Sequence, residues 1–148
     1  MDVSASGVRS PIAATRLADA ARAVLRADRV RNALLSVALV DRRAIARMNR
    51  EHLGHHGPTD VISFSFSRAS SRDAVIGDVY IAPEVARDNA VARGVPVREE
   101  LLRLVVHGTL HVLGHDHPDG PTRERSPMWT RQERIVKRLT AQGGRKAR

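Results

Sequence analysis

Apolar residues recur at helical spacing through Ile12, Leu17, Ala20, Ala21, Val24 and Leu25, which predicts an amphipathic helix between Pro11 and Arg29. Pro11 suits its first turn, where a missing N–H costs nothing. From Asn32 to Val40 the chain carries the run Ala-Leu-Leu-Ser-Val-Ala-Leu-Val, short and continuous, as in a buried strand. Asp41 then offers a side-chain oxygen to the free N–H groups of a helix running through Ile45 and Met48 to about His52. Leu53 to Asp60 is punctuated by Gly54, Gly57 and Pro58 and is read as a loop.

Strand-like patterning returns at Val61–Ser67 and, after an exposed turn over 67–73, at Ala74–Ala82. Pro83 and Glu84 open a helix to about Arg93. A longer helix follows from Val97 to about Leu113, stopped by Gly114, and a last one spans Arg123 to Ala141. Residues 1–142 therefore form one compact α+β domain, a small mixed sheet of about four strands packed with about five helices. The basic tail, 143–148, is expected to be disordered.

Composition narrows the chemistry. The 148 residues fit one core, built on Leu, Val, Ile and Ala because only 3% are aromatic. That scarcity argues against an aromatic platform for stacking single-stranded bases. There is no cysteine, so disulfides, thiolate zinc ribbons and cysteine nucleophiles are excluded. Any metal must be held by His, Asp or Glu. The formal charge of +9 favours a polyanionic partner through counterion release, although an arginine bias also serves solubility. No run approaches the roughly 20 apolar residues of a membrane span, and residues 1–15 lack the apolar centre of a signal peptide. A cytoplasmic protein with no membrane partner is the expectation.

Four of the seven histidines fall between positions 107 and 117. His107 and His111 lie four residues apart, so a helix places both imidazoles on one face, one turn apart. Gly114 lets the chain turn back and return a third ligand, from either His115 or His117. A helical His pair completed beyond a glycine turn is the zincin arrangement. Three imidazoles leave a fourth tetrahedral position to water, as in catalytic rather than structural zinc sites. Zincin peptidases place a Glu directly after the first His as general base. Gly108 stands there instead and can transfer no proton, so peptidase chemistry of that type is not expected.

The stretch His107-Gly108-Thr109-Leu110-His111-Val112-Leu113-Gly114-His115-Asp116-His117 resembles the His-Gly-x-Leu-His-x-x-Gly-x-Asp-His signature of the YbeY family, bacterial endoribonucleases and rRNA maturation factors. Further blocks agree in order and spacing. They are Met48-Asn49, then Pro58-Thr59-Asp60-Val61-Ile62-Ser63-Phe64, then Ile76-Gly77-Asp78-Val79-Tyr80-Ile81, and finally Met128 and Glu133. The likeness spans roughly residues 30 to 140. It implies one Zn2+ per chain on His107, His111 and His117, with His107 and His111 serving catalysis through the metal-bound water. His115 occupies a variable position. It also implies a single-strand-specific endoribonuclease of 16S rRNA 3′-end maturation and ribosome quality control, with RNA and the 30S subunit as partners rather than DNA. Two other readings stand beside it: a non-catalytic, zinc-stabilised assembly factor, and a zinc hydrolase of another substrate.

The resemblance has one departure. Many members carry an Arg in a Tyr-Arg-Gly sequence just before the Pro-Thr-Asp block, where this chain has His52-Leu53-Gly54. A guanidinium there would hold phosphate, and Leu53 cannot. His55 and His56 either replace it or sit in an exposed loop. Asp116 either orients an imidazole or caps its turn. Asp60, Asp78, Thr59 and Ser63 either line the cleft or satisfy backbone groups. Arg98, Arg103, Arg123 and Arg125 either track phosphate or form a solvated face. No general base is assigned.

Overall fold

In the computed structural model, which describes residues 2–66, 68, 70 and 72–146 and the side chains up to Ala141, the chain runs β1 (Asp2–Ser6), α1 (Ala14–Ala27), β2 (Ala33–Val40), α2 (Arg42–Leu53), β3 (Val61–Phe66), β4 (Val75–Ile81), α3 (Pro83–Arg93), α4 (Val97–Val112) and α5 (Pro127–Lys146). The expected α+β architecture is present, with four strands in the order β1-β2-β4-β3. β1 and β4 flank β2 in parallel, and β3 pairs antiparallel to β4, with Ser63 opposite Val79. β3 is therefore an edge strand.

Most of the apolar surface is buried on one face of the sheet. Leu35, Val37 and Leu39 of β2 and Val75, Val79 and Ile81 of β4 meet Leu17, Ala20, Ala21 and Val24 of α1 there. Ile135, Val136 and Leu139 of α5 close the same core. A smaller cluster on the other face joins Val40, Ile45, Ile62 and Ala82, with Phe64 and Tyr80 packed edge to face. α4 lies at the centre. Every residue from Glu100 to Leu110 is buried, the mark of a helix enclosed on all sides.

Two helix starts and one strand depart from the sequence reading. The first helix starts at Ala14 because the Ser10 hydroxyl accepts the Ile12 N–H at 3.2 Å, which holds that segment in a turn. β1, for which the hydrophobic pattern gave no position, is an exposed edge strand with no alternating apolar face. The last helix starts at Pro127, not Arg123: residues 123–125 form a separate 3-10 turn, and the extended Ser126 accepts the Trp129 N–H at 3.2 Å. That helix runs on to Lys146, taking in part of the expected tail 143–148. The remainder lies outside the described residues.

Arg103, a candidate phosphate contact by sequence, is a buried clamp. It binds Glu133 through two hydrogen bonds of 2.9 Å, Glu100 at 2.8 Å and Glu99 at 3.1 Å. Burial raises the Glu100 carboxyl above the usual range against the pull of Arg103, while Arg103 and Gln132 hold Glu133 below it. The ion cluster thereby pins α4 to α5. Removing the cation leaves Glu100, which is 1% exposed, with only the Arg93 guanidinium at 3.6 Å. Urea denaturation of Arg103→Ala is therefore expected to show a loss of about 3 kcal/mol or more, with Arg98→Ala, exposed on the same helix, unchanged within about 0.5 kcal/mol.

Candidate metal centre

Gly108 sets the position of the histidine-bearing helix. A Cβ there would lie 2.6 Å from Val79 Cγ1 and 3.0 Å from Ser63 Oγ, so only glycine allows α4 to lie this close to β3 and β4. The Ser63 hydroxyl uses that closeness and donates to the Gly108 carbonyl at 3.0 Å. The glycine that removes the peptidase base thus also seats the metal helix.

His107 and His111 project from the last turns of α4. Gly114 adopts φ +97, donates its N–H to the His111 carbonyl and lets the His115 N–H reach the Leu110 carbonyl, both at 3.0 Å. This turn brings His117 back over the helix, so that one nitrogen from each of His107, His111 and His117 lies within 4.8 Å of the others. Ring centroids are 4.6 to 5.1 Å apart. Of the two third ligands the spacing left open, the fold brings in His117. The His115 ring turns away and pairs with Asp28 Oδ2 at 2.7 Å.

Hydrogen bonds decide which nitrogen each ring offers. His107 Nδ1–H donates to Gln132 Oε1 at 2.6 Å, His111 Nδ1–H to the His115 carbonyl and His117 Nδ1–H to the Pro118 carbonyl, both at 3.0 Å. All three partners are acceptor oxygens, so every Nδ1 carries the proton and every Nε2 is left with a lone pair. Gln132 is itself oriented, because its amide N–H donates to the Glu133 carboxylate at 2.9 Å. His107 Nε2 and His111 Nε2 face each other at 3.1 Å. Two lone pairs at that distance repel unless a cation sits between them. The edge of a tetrahedral zinc site with bonds of about 2.0–2.1 Å is about 3.3 Å. The donor set fits such an ion.

Burial and the neighbouring charges of His111, Arg123 and His117 push His107 down to about 3, and burial and the His117 charge lower His111 as well. Both rings are therefore neutral, as ligands must be. Arg123 is the nearby cation in both cases, and its buried Nε has no hydrogen-bond partner among the described residues.

The remaining candidates divide cleanly. Asp116 accepts the His117 backbone N–H at 2.9 Å, which makes it a cap of the turn. Asp78 accepts the Ser36 hydroxyl, Asp60 accepts the Asn89 amide and Thr59 reaches Asp60, so these groups serve the scaffold. Leu53 is 48% exposed and lines a groove of about 480 Å³ with Val61, Ile62, Ser63, His111 and Asp116. His55 and His56 are exposed and are not among the residues lining it. Arg98 lies apart, beside Pro11 and Arg16, whereas Arg125 lines a hollow with His115 and Asp116. Sequence reasoning missed Gln132, since nothing in a helical Gln marks it as a partner of a ring 25 residues away.

Comparison with known proteins shows which family the chain resembles. The family model described as Endoribonuclease YbeY matches residues 6–140. An Endoribonuclease YbeY from Kineococcus radiotolerans is 41% identical over 118 residues, covering 75% of this chain and 67% of its own. One from Persephonella marina is 34% identical over 123 residues, covering 82% and 80%. The solution structure of a Thermotoga maritima protein shares the fold, with a TM-score of 0.63 at 21% identity, over 99% of this chain and 93% of that one.

The depressed histidines make the metal-free protein acid-sensitive. His107 binds a proton near pH 6.5 when unfolded and only near pH 3 when folded, so its contribution is complete above about pH 6.5 and is lost as the pH falls toward 3. Glu133 and Asp28, held below their usual range, act in the same direction. Thermal melts of metal-free protein should show Tm falling steadily from pH 7 to pH 4, and His107→Phe should flatten the slope.

Proposed function

This chain belongs to the YbeY endoribonuclease family, and we propose that it is a zinc-dependent endoribonuclease cutting single-stranded RNA during 16S rRNA 3′-end maturation and ribosome quality control. The carrying observation is the convergence of one ring nitrogen from each of His107, His111 and His117, with the Nδ1 of each ring held by a hydrogen bond to an oxygen. One zinc ion per chain suits three imidazoles and no thiolate. When bound, zinc supplies Lewis acidity toward a phosphoryl oxygen and lowers the pKa of water.

The chain's own residues do the rest. Gln132, the His115 carbonyl and the Pro118 carbonyl hold the rings in the coordinating tautomer. The groove along β3 leads to His111 and admits an extended strand beside the site. Arg123, whose guanidinium lies over the Trp129 ring and whose charge acts on His107 and His111, supplies a cation beside the site for the charge that develops on phosphate. It offers a cation that Leu53 does not. Gly108 leaves no acid or base where a zincin peptidase needs one. The net charge of +9 suits rRNA and the 30S particle, and the reading sets the protein in the cytoplasm. Among the described residues no helix is long and apolar enough to cross a membrane.

Zinc-loaded protein is expected to hold one ion per chain and to cut single-stranded RNA. His111→Ala should lose the ion and drop cleavage to background. Cleavage that survives in His111→Ala, or zinc-loaded protein that associates with 30S particles without cutting RNA, overturns the reading.

A further inference from the structure

Beyond the turn that carries His117, α5 lines two hollows rich in arginine, the first together with that turn and the second together with α1. One, of about 530 Å³, is lined by His115, Asp116, Arg125, Thr130, Arg131 and Arg134. The other, of about 370 Å³, takes Arg22 and Arg26 from α1 and Arg138 with Ile135 from α5. Arg134 of the first hollow and Arg138 of the second are one helical turn apart, so the hollows follow one another along α5.

The charges in this groove are not balanced within it. Arg131 is held by Asp28 and the Ala27 carbonyl, and Arg22 by Asp19 at 3.5 Å. Arg26, Arg134 and Arg138 are exposed, and among the described residues none has an ion pair or side-chain hydrogen bond. Three unpaired cations distributed over these two hollows attract a polyanion that can follow them. His115 and Asp116 line both the nearer hollow and the groove that holds His111, so the two channels share a wall at the metal centre. A chain lying along α5 would reach that wall and continue past the histidines.

We propose that the α1/α5 groove is a second RNA-binding surface, in which Arg26, Arg134 and Arg138 track the phosphates of the substrate strand on one side of the metal centre. This rests on the reading of the protein as a ribonuclease. The contact is electrostatic and independent of sequence, because the groove presents guanidinium groups and no exposed aromatic ring. Its contribution falls with salt as counterions cease to gain by release.

The test compares two triple variants of equal charge. Arg26→Gln/Arg134→Gln/Arg138→Gln empties the groove, and Arg43→Gln/Arg47→Gln/Arg87→Gln removes the same charge from exposed positions on α2 and α3. With zinc-loaded protein, kcat/KM on a long single-stranded RNA should fall roughly tenfold or more in the first variant, and its dependence on log salt should become shallower by about 2. On a trinucleotide both variants should match the wild type. Equal losses in the two triples, or a groove variant that matches the wild type on the long strand, overturns the α1/α5 surface while leaving ribonuclease activity in place. Wild-type protein that neither binds nor cuts RNA overturns the ribonuclease reading, and this surface with it.

Discussion

Between Gly108 and Val79 the α4 backbone and the β4 side chains are in such close contact that one added methyl group would lie 2.6 Å from a neighbouring carbon. The separation of helix and sheet is fixed there, and the position of His107, one residue away, is fixed with it. α4 is buried on every side, so it cannot slide or rotate to relieve a poor fit. The Ser63 hydroxyl bonded to the Gly108 carbonyl ties the edge strand, one wall of the groove, to the same point. His107 and His111 therefore take their precision from the packing of a rigid core helix.

The second half of the site comes from α5 and the turn after α4, through hydrogen bonds at the Nδ1 atoms of the three rings. Gln132 orients His107, and Glu133 beside it orients Gln132 and clamps Arg103. One continuous chain of polar contacts thus runs from the buried ion cluster that joins α4 to α5 to the innermost histidine. Stability and coordination share these groups, which is how a small domain with few aromatic residues can hold three imidazoles in one tautomer.

Much of this was legible in the sequence, for identifiable reasons. Helical spacing and the glycine turn reveal His107 and His111, because a pair at i and i+4 has little freedom to point elsewhere. Asp41 caps α2 at Ala44 as its residue type suggests, and Pro83 opens α3. What escaped depends on contacts distant in sequence. An exposed edge strand such as β1 needs no apolar alternation. A buried Arg103 looks like a surface arginine until Glu133 is placed opposite it. Between His115 and His117, spacing could not choose, whereas the Gly114 turn and the Asp28 carboxylate do. Ser126 and Pro127 formed a readable helix start that the weaker pattern upstream obscured.

The central claim is that three Nε2 atoms, and no others, meet one metal ion while every Nδ1 keeps its proton. Titrating metal-free protein with zinc while following the histidine ring nitrogens by long-range proton–nitrogen NMR tests it directly. At one equivalent, His107, His111 and His117 should all take the Nδ1–H tautomer with shifted Nε2 signals, and His115 should stay unperturbed by coordination. Coordination through any Nδ1, or saturation with His115 in place of His117, would contradict it.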